Sequence, residues 1–205
     1  MQRARRDRTP AEVGDDDSAV IRRSLREPER FGVIFDRHAP HIHRYLCRRL
    51  NAELADDLVG ETFLAAFHSR ERYDLTRHDA RPWLYGIATN LSSRHRRAEL
   101  SAYRLSQAVG PDPAEPSHAD QVAADVTAQA LRSLLVTALS ELAPGDRDVL
   151  LLIAWEQLSY DEVAAALAIP VGTVRSRLHR ARQQIRKTLG HTNPSNVTEE
   201  PVRHG

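Results

Sequence analysis

Residues 169–187, IPVGTVRSRLHRARQQIRK, combine many cationic side chains with a helical spacing. The stretch holds six Arg or Lys side chains from Arg175 onward and no acidic residue. Guanidinium groups donate paired hydrogen bonds to phosphates and to base edges, so nucleic-acid binding is the chemistry that this composition offers. The charges alone, however, are more typical of a solvated helix face. Whether the stretch binds nucleic acid or is only a solvated helix face therefore depends on the elements around it.

The residues around this stretch predict a helix, a turn and a second helix. Ser159 and Glu162 form the S-x-x-E pattern of a capping box, which opens a short helix. Pro170 cannot continue that helix, Gly172 permits a turn and Thr173 can cap the next helix. The inward side chains of the first helix are Val163, Ala164 and Leu167.

The second helix separates its side chains into three groups when each residue advances by about 100°. The buried stripe is Val174, Leu178, Ala181 and Ile185. The opposite side is Ser176, His179, Arg180, Gln183 and Lys187, and the flanks are Arg175, Arg177, Arg182 and Arg186. A helix of this kind suits a DNA major groove, where the outer face reads bases and the flanks hold phosphates. We predict a DNA-binding helix-turn-helix.

A second basic helix is predicted from ARPWLYGIATNLSSRHRRAE, residues 80–99. Pro82 suits its first turn, and its inward stripe is Leu84, Ile87, Ala88 and Leu91. Trp83, Gly86, Asn90, Arg94 and Arg97 share another side. An aromatic ring, an amide and arginines together can stack on an unpaired base, hydrogen-bond it and hold its backbone. The alternative is that Trp83 belongs to the core and the arginines are solvated.

An acidic helix is predicted from ELADDLVGETFLAAF, residues 53–67. Leu54, Leu58 and Phe63 are expected to pack inward with Ala65 or Ala66. Asp57 and Glu61, four residues apart, form an outward acidic pair. Such a pair repels DNA and suits a basic protein partner, although a solvated acidic face has the same pattern.

Histidines and the single cysteine, Cys47, lie in a third stretch. His38 with His41, and His43 with Cys47, have spacings that can hold zinc, but Pro40 lies among them and no nearby carboxylate completes a site. We predict no metal and no cofactor. A single cysteine also excludes an intrachain disulfide.

Helical spacing dominates the chain, and we predict an all-α protein of two small domains. Three prolines within residues 108–120 exclude a continuous helix there. The expected organisation is a disordered tail 1–19, a helical domain 20–104, a flexible linker 105–127, a helix-turn-helix domain 128–189 and a disordered tail 190–205. No apolar run approaches the length of a membrane span, so we expect a cytoplasmic protein without membrane insertion.

These elements, in this order, resemble the extracytoplasmic-function (ECF) group of bacterial sigma factors of the sigma-70 family. The motifs that carry the resemblance are ADDLVGETFLAAF, RPWLYGIATNLSSRHRRAE and the stretch from LSELAPGDRDVL to QQIRKTL. The resemblance implies a non-enzymatic protein that binds core RNA polymerase and promoter DNA. It also implies a separate anti-sigma protein as regulator.

The resemblance assigns residues to three roles. The polymerase-docking positions are Asp57, Leu58, Glu61 and Phe63. The positions for the −10 element are Trp83, Asn90, Arg94, Arg96 and Arg97, and the loop 70–80 captures a flipped base. The positions for the −35 element are Thr173, Arg175, Ser176, Arg177, His179 and Arg180.

Three departures limit what the resemblance implies, and one is that His179 occupies a variable position, so the −35 sequence does not follow from the family. Gly60 occupies a position where Gln or Ala is common, and the loop 70–80 contains Tyr73 but no phenylalanine. The main rival interpretation is a stand-alone helix-turn-helix regulator, which would bind its operator without polymerase. A nucleic-acid enzyme has no support, because neither a phosphate-cradling Gly-rich loop nor a metal-spaced carboxylate cluster is present.

Overall fold

The computed structural model describes residues 15–107 and 134–190, and every regular element within these ranges is helical. The helices are α1 (Asp17–Ser24), α2 (Gly32–Cys47), α3 (Ala52–Ser69), α4 (Arg81–Gln107), α5 (described over residues 134–140), α6 (Pro144–Ala154), α7 (Tyr160–Leu167) and α8 (Val171–Gly190). Short 3-10 turns occupy Pro28–Phe31 and Arg70–Arg72. The predicted all-α class is confirmed.

The described residues group into two compact units. The first unit contains residues 15–107 with Asp161–Ile169, and the second contains residues 134–160 and 170–190. The predicted domain boundaries at 20, 104, 128 and 189 stay predictions. Most of the expected tails and linker, residues 1–14, 108–127 and 191–205, lies outside the described residues.

Two of the predicted irregular segments overlap helices. The tail predicted over 1–19 is wrong for its last residues, because α1 begins at Asp17 and both Asp17 and Ser18 are buried. The reason is a set of long-range contacts of Asp17, which local polarity cannot reveal. The start of the predicted linker, residues 105–107, belongs to α4.

Two helices of the first unit, α1 and α3, start at side-chain caps. Asp16 accepts a hydrogen bond from the Ala19 amide at 2.8 Å, and Asn51 accepts one from the Leu54 amide at 2.9 Å. The sequence left open whether Pro40 starts a helix or lies within a continuous one. In the structure α2 continues through Pro40.

Aromatic contacts join α2, α3 and α4 in the first unit. The rings of Tyr45 and Tyr85 meet edge to face at 5.2 Å, and both side chains are buried. The Tyr45 hydroxyl lies 2.7 Å from the Thr89 hydroxyl, which links α2 to α4. Phe35 meets Phe63 at 4.9 Å and so joins α2 to α3. These contacts fix the surfaces that α3 and α4 present to solvent.

The second unit has its core where α6 packs on α8. The buried side chains include Val149 and Leu152 from α6 and Val174, Leu178 and Ala181 from α8. Three of the four residues predicted for the buried stripe of α8 are therefore confirmed. The fourth, Ile185, is partly exposed.

The turn between α7 and α8 differs from the sequence expectation. Ala168, with φ of 52°, occupies the left-handed position, and the Ile169 amide bonds the Ala164 carbonyl in a 6→1 closure of the Schellman type. The turn is thus complete before Pro170, whose carbonyl accepts from the Thr173 amide at 2.8 Å. The roles predicted for Gly172 and Thr173 are wrong, since both lie inside α8.

Candidate nucleic-acid interface

The outer face of α8 presents several of the predicted DNA-contacting side chains to solvent. Arg175, Ser176 and His179 are exposed, whereas Thr173 and Arg177 are half-buried. The Ser176 hydroxyl donates to the Thr173 carbonyl at 3.0 Å. The exposed cations further along the helix are Arg182, Arg186 and Lys187. This face combines polar groups that can read base edges with cations that can hold phosphates.

Arg180, predicted to face DNA bases, is engaged by a carboxylate in the structure. Its Nε donates to Asp146 Oδ2 at 2.9 Å and its Nη2 donates to Asp146 Oδ1 at 2.8 Å. Asp146 lies in the first turn of α6, 34 residues earlier in the chain. Sequence analysis missed Asp146, and its position directly after Pro144 and Gly145 gave no sign of a partner in α8.

Arg177 lies against the same turn of α6. A Cβ added to Gly145 would lie 2.7 Å from Arg177 Nη1, so only glycine leaves room for the guanidinium in this position. The first turn of α6 therefore contacts two arginines of α8, and it limits where their guanidinium groups lie.

On α4, the side chains predicted to contact the −10 element are exposed or half-buried, whereas Gly86 on the predicted base-binding side is buried. Asn90, Arg94 and Arg97 are exposed, and Trp83 and Arg96 are half-buried. The Trp83 ring lies 4.9 Å from the Tyr73 ring at an interplanar angle of 55°. The contact between these rings fixes Trp83 beside the loop that precedes α4.

Tyr73 is itself buried, with 7% of its surface exposed. Its hydroxyl donates to the Arg77 carbonyl at 2.7 Å. Burial, together with the negative charges of Asp17 and Asp79, raises the pKa of this hydroxyl far above its usual range. Tyr73 therefore packs against Trp83, and because it is buried it offers no exposed ring face for stacking on a base.

The loop and α4 line one hollow. Its lining includes Arg72, Asp74 and Arg77 from the loop and Trp83 and Asn90 from α4. Asp74 closes the loop by accepting from the Thr76 amide at 3.1 Å and the Thr76 hydroxyl at 2.7 Å. These hydrogen bonds from Thr76 lower the pKa of Asp74. The structure thus brings together the loop, the aromatic ring and the amide that the sequence assigned to one task.

The acidic face of α3 contains two of the four residues predicted for protein docking. Asp57 and Glu61 are exposed, but Leu58 and Phe63 are only 3% and 5% exposed. Their burial confirms the inward packing expected from helical spacing, and their assigned part in docking stays a prediction. Leu64, which sequence analysis missed, is 57% exposed. It follows Asp57 by seven residues, so the two share a helix face, and this spacing was visible in the sequence.

Histidine contacts in the first unit connect separate elements. His43 Nε2 lies 3.4 Å from Cys47 Sγ and 3.0 Å from Asp56 Oδ1, so the expectation that no carboxylate is nearby is wrong. Asp56 comes from α3, and the contact depends on how α3 packs on α2. Burial, with the Asp56 charge, raises the pKa of the Cys47 thiol. A thiol that stays protonated is a weak metal ligand.

Within the described residues, one further group has ligand atoms within 4.8 Å of one another, namely Asp17, His38 and Asp79. Hydrogen-bond donors already occupy these carboxylates. Asp17 accepts from the Ala80 amide at 2.9 Å, and Asp79 accepts from the Arg81 amide at 2.9 Å and the Arg81 Nε at 2.8 Å. We interpret the group as a structural ion-pair cluster, and the absence of a metal site stays a prediction.

No helix in the part of the chain that the structure describes is long and apolar enough to span a membrane. The helix-turn-helix of α7 and α8 and the basic face of α4 define the chain as an all-α DNA-binding protein. Comparison with known proteins makes the assignment specific. Residues 34–100 match the model of sigma-70 region 2, and residues 132–185 match that of sigma-70, region 4.

Two curated relatives are similar over most of their length. RNA polymerase sigma factor CarQ of Myxococcus xanthus is 36% identical over 166 residues, which cover 79% of this chain and 90% of CarQ. The ECF RNA polymerase sigma factor SigW of Bacillus subtilis is 31% identical over 172 residues, covering 80% and 90%. The chain belongs to the ECF group of sigma-70 family RNA polymerase sigma factors.

A solved structure has the same fold. The sigma factor RpoE from Bartonella quintana, in complex with the anti-sigma factor NepR, aligns with a TM-score of 0.59 at 21% identity, covering 80% of this chain and 99% of that chain.

Proposed function

We propose that the protein is a dissociable promoter-specificity subunit that binds core RNA polymerase in the cytoplasm and catalyses no reaction of its own. The family membership supports this function over that of a stand-alone regulator. The observation that supports separate surfaces for polymerase and for DNA is the separation of charge on the first unit. Asp57 and Glu61 form an acidic face on α3, whereas Asn90, Arg94 and Arg97 form a polar and basic face on α4.

The acidic face of α3 is the proposed docking surface for core polymerase. Asp57 and Glu61 supply charge, and the exposed Leu64 supplies apolar area beside them. Interfaces commonly combine such an apolar contact with a charged rim that steers association. Leu58 and Phe63 act indirectly, because their burial holds this face in place.

Promoter DNA is the proposed ligand of the basic surfaces. The outer face of α8 reads the −35 element, with Ser176 and His179 exposed to contact bases and Arg175 exposed beside them to contact phosphates. Trp83 and Asn90, in the hollow beside the loop, capture unstacked bases of the −10 element. Because Tyr73 is covered by Trp83, we assign the stacking role to Trp83. Joining two weak DNA-binding modules in one chain raises the effective concentration of the second.

A separate anti-sigma protein is the proposed regulator. The solved structural neighbour RpoE is described in complex with the anti-sigma factor NepR. The acidic face of α3 and the outer face of α8 are the surfaces that such a protein would have to cover to block the proposed activity.

The first test is gel filtration of the protein with bacterial core polymerase that lacks sigma. We expect the wild type to co-elute with core and the Asp57→Arg/Glu61→Arg variant to fail. The matched control is Glu29→Arg/Glu71→Arg, which makes the same change of net charge at exposed positions outside α3. If both variants co-elute with core polymerase equally well, the docking surface does not lie on α3. Failure of the folded wild type to bind core would contradict the proposed function.

A further inference from the structure

The pairing of Arg180 with Asp146 has a defined geometry. The Asp146 side chain is 11% exposed and the Arg180 side chain is 57% exposed. Two parallel hydrogen bonds of 2.9 and 2.8 Å join the Nε–Nη2 edge of the guanidinium to both carboxylate oxygens. A single hydrogen bond would leave the guanidinium free to rotate, whereas a bidentate pair fixes the plane of the group.

This pairing leaves the other edge of the guanidinium available. Arginine has five N–H donors, one on Nε and two on each Nη. Asp146 accepts one from Nε and one from Nη2. Three donors remain, and two of them, one on Nη1 and one on Nη2, lie on the Nη1–Nη2 edge, where they can donate two parallel hydrogen bonds to a base. In the major groove, guanine offers the matching pair of acceptors, O6 and N7.

Asp146 lies where its carboxylate is held in place and can fix the Arg180 guanidinium. Asp146 lies in the first turn of α6, where the helix dipole stabilises a negative charge. One turn before Arg180 on α8, Arg177 lies against Gly145. The first turn of α6 therefore contacts two arginines of the proposed recognition helix. The core of Val149, Leu152, Val174 and Leu178 holds α6 and α8 together beneath these contacts.

We propose that Asp146 is a positioning residue for −35 recognition, which holds Arg180 so that its free edge donates to O6 and N7 of a guanine. The inference rests on the proposed function, in which α8 lies in the major groove. It assigns Asp146 a role without DNA contact of its own. Pre-orientation favours the sequence that matches the fixed edge, since a mobile guanidinium would satisfy other bases and phosphates as well.

The test is selection of promoter DNA by the reconstituted polymerase holoenzyme from a library with a randomised −35 element, read by sequencing. We expect the wild type to prefer guanine at one position, and Arg180→Ala to lose that preference. Asp146→Asn is expected to reduce the preference about tenfold, in the range that one bidentate base contact supplies. The double variant is expected to match Arg180→Ala, because the two residues act as one unit.

Two further variants separate positioning from stability. Glu141→Gln is the matched control, because Glu141 also contacts α8, accepting a hydrogen bond from Thr188 at 2.8 Å, and no arginine among the described residues forms an ion pair with it. It is expected to leave base preference unchanged. Arg180→Lys keeps the charge but lacks the second edge, so it should lose the preference while the fold stays intact by circular dichroism.

The outcomes distinguish failure of the positioning role of Asp146 from failure of the proposed −35 recognition by α8. If Asp146→Asn lowers affinity for all sequences equally and keeps the guanine preference, Asp146 is only a structural staple and the inference is wrong. If Arg180→Ala leaves the preference intact while Ser176 or His179 variants lose it, the inference fails and α8 still reads DNA. A wild-type holoenzyme with no −35 preference would overturn both.

Discussion

At the scale of single residues, Asp17 organises much of the first unit. Its carboxylate lies 2.7 Å from His38 Nε2, 3.0 Å from Arg37 Nη1 and 2.9 Å from the Ala80 amide. Burial raises the pKa of Asp17, but the hydrogen bonds from His38, Ala80 and Arg37 outweigh it and leave the pKa lowered. One side chain thus anchors α1 to α2 and to the loop before α4.

Asp16 beside it gives a prediction about pH. Hydrogen bonds from the Ala19 amide and the Ser18 hydroxyl, and then from His78, lower its pKa to about 2. A lowered folded-state pKa contributes stability that is complete above the unfolded value of about 3.9 and disappears as the pH falls through the folded value.

Asp16→Asn keeps a good helix cap and removes this titration. We expect the variant to be less stable than the wild type at pH 5, and the gap to close as the pH falls from about 4 to about 2. Urea unfolding at several pH values measures it. A gap that stays constant across this range would contradict the assigned pKa.

At the scale of elements, α3 contains a residue that weakens it without a packing reason. Gly60 lies in the middle of the helix and is exposed, and an added Cβ would meet no atom within 4 Å. Gly60→Ala is therefore expected to raise the free energy of unfolding by up to about 1 kcal/mol. Urea titration checks this value.

Gly145→Ala provides the comparison, because its Cβ would lie 2.7 Å from Arg177 Nη1. The methyl group has to displace Arg177, so the gain should be smaller or absent. Equal gains at both glycines would mean that the contact between Arg177 and Gly145 does not persist in solution.

The turn between α7 and α8 gives a prediction of opposite sign. Ala168 has φ of 52°, a conformation that costs alanine about 1 kcal/mol and glycine much less. Ala168→Gly is expected to stabilise the protein by roughly 0.5 kcal/mol after the added freedom of the unfolded chain is included.

Ala165→Gly, three residues earlier inside α7, should instead destabilise by about 1 kcal/mol. Thermal unfolding of the two variants in parallel measures both effects. Destabilisation by Ala168→Gly would show that the left-handed turn is not formed in solution.

At the scale of the whole molecule, a net charge of +1 conceals separate charged faces. The cations of α8 divide by their contacts, since Arg180 pairs with Asp146 while Arg175, Arg182, Arg186 and Lys187 are exposed. Exposed cations are the ones expected to meet phosphates. Four such contacts would contribute a log–log salt slope of about −3.6, against about −5.4 for all six cations of the helix.

Arg175→Gln tests this division in the holoenzyme. It is expected to reduce the magnitude of the salt slope for promoter binding by about 0.9 without changing base preference. Fluorescence anisotropy over a range of salt concentrations measures it. Arg26→Gln, at an exposed arginine in the turn after α1, is the control and should leave the slope unchanged. Equal changes for both would mean that the field of the whole protein, rather than a local contact, governs binding.

Local patterns in the sequence were sufficient to predict the helices and most of their faces. The 3.6-residue repeat predicted the buried Val174, Leu178 and Ala181 and the exposed Asp57 and Glu61. Such patterns work because the direction of a side chain on a helix depends only on its position in the chain. The order of the acidic helix, the basic helix and the helix-turn-helix was equally visible, and with it the family.

The tertiary structure alone decided which side chains meet. It paired Arg180 with Asp146, placed Asp17 against His38, and covered Tyr73 with Trp83. The first two contacts join residues 34 and 21 positions apart, and they depend on how whole helices pack. Periodicity tells which way a side chain points from its own helix. Only packing decides what lies there, and for Arg180 that partner determines which edge remains free for DNA.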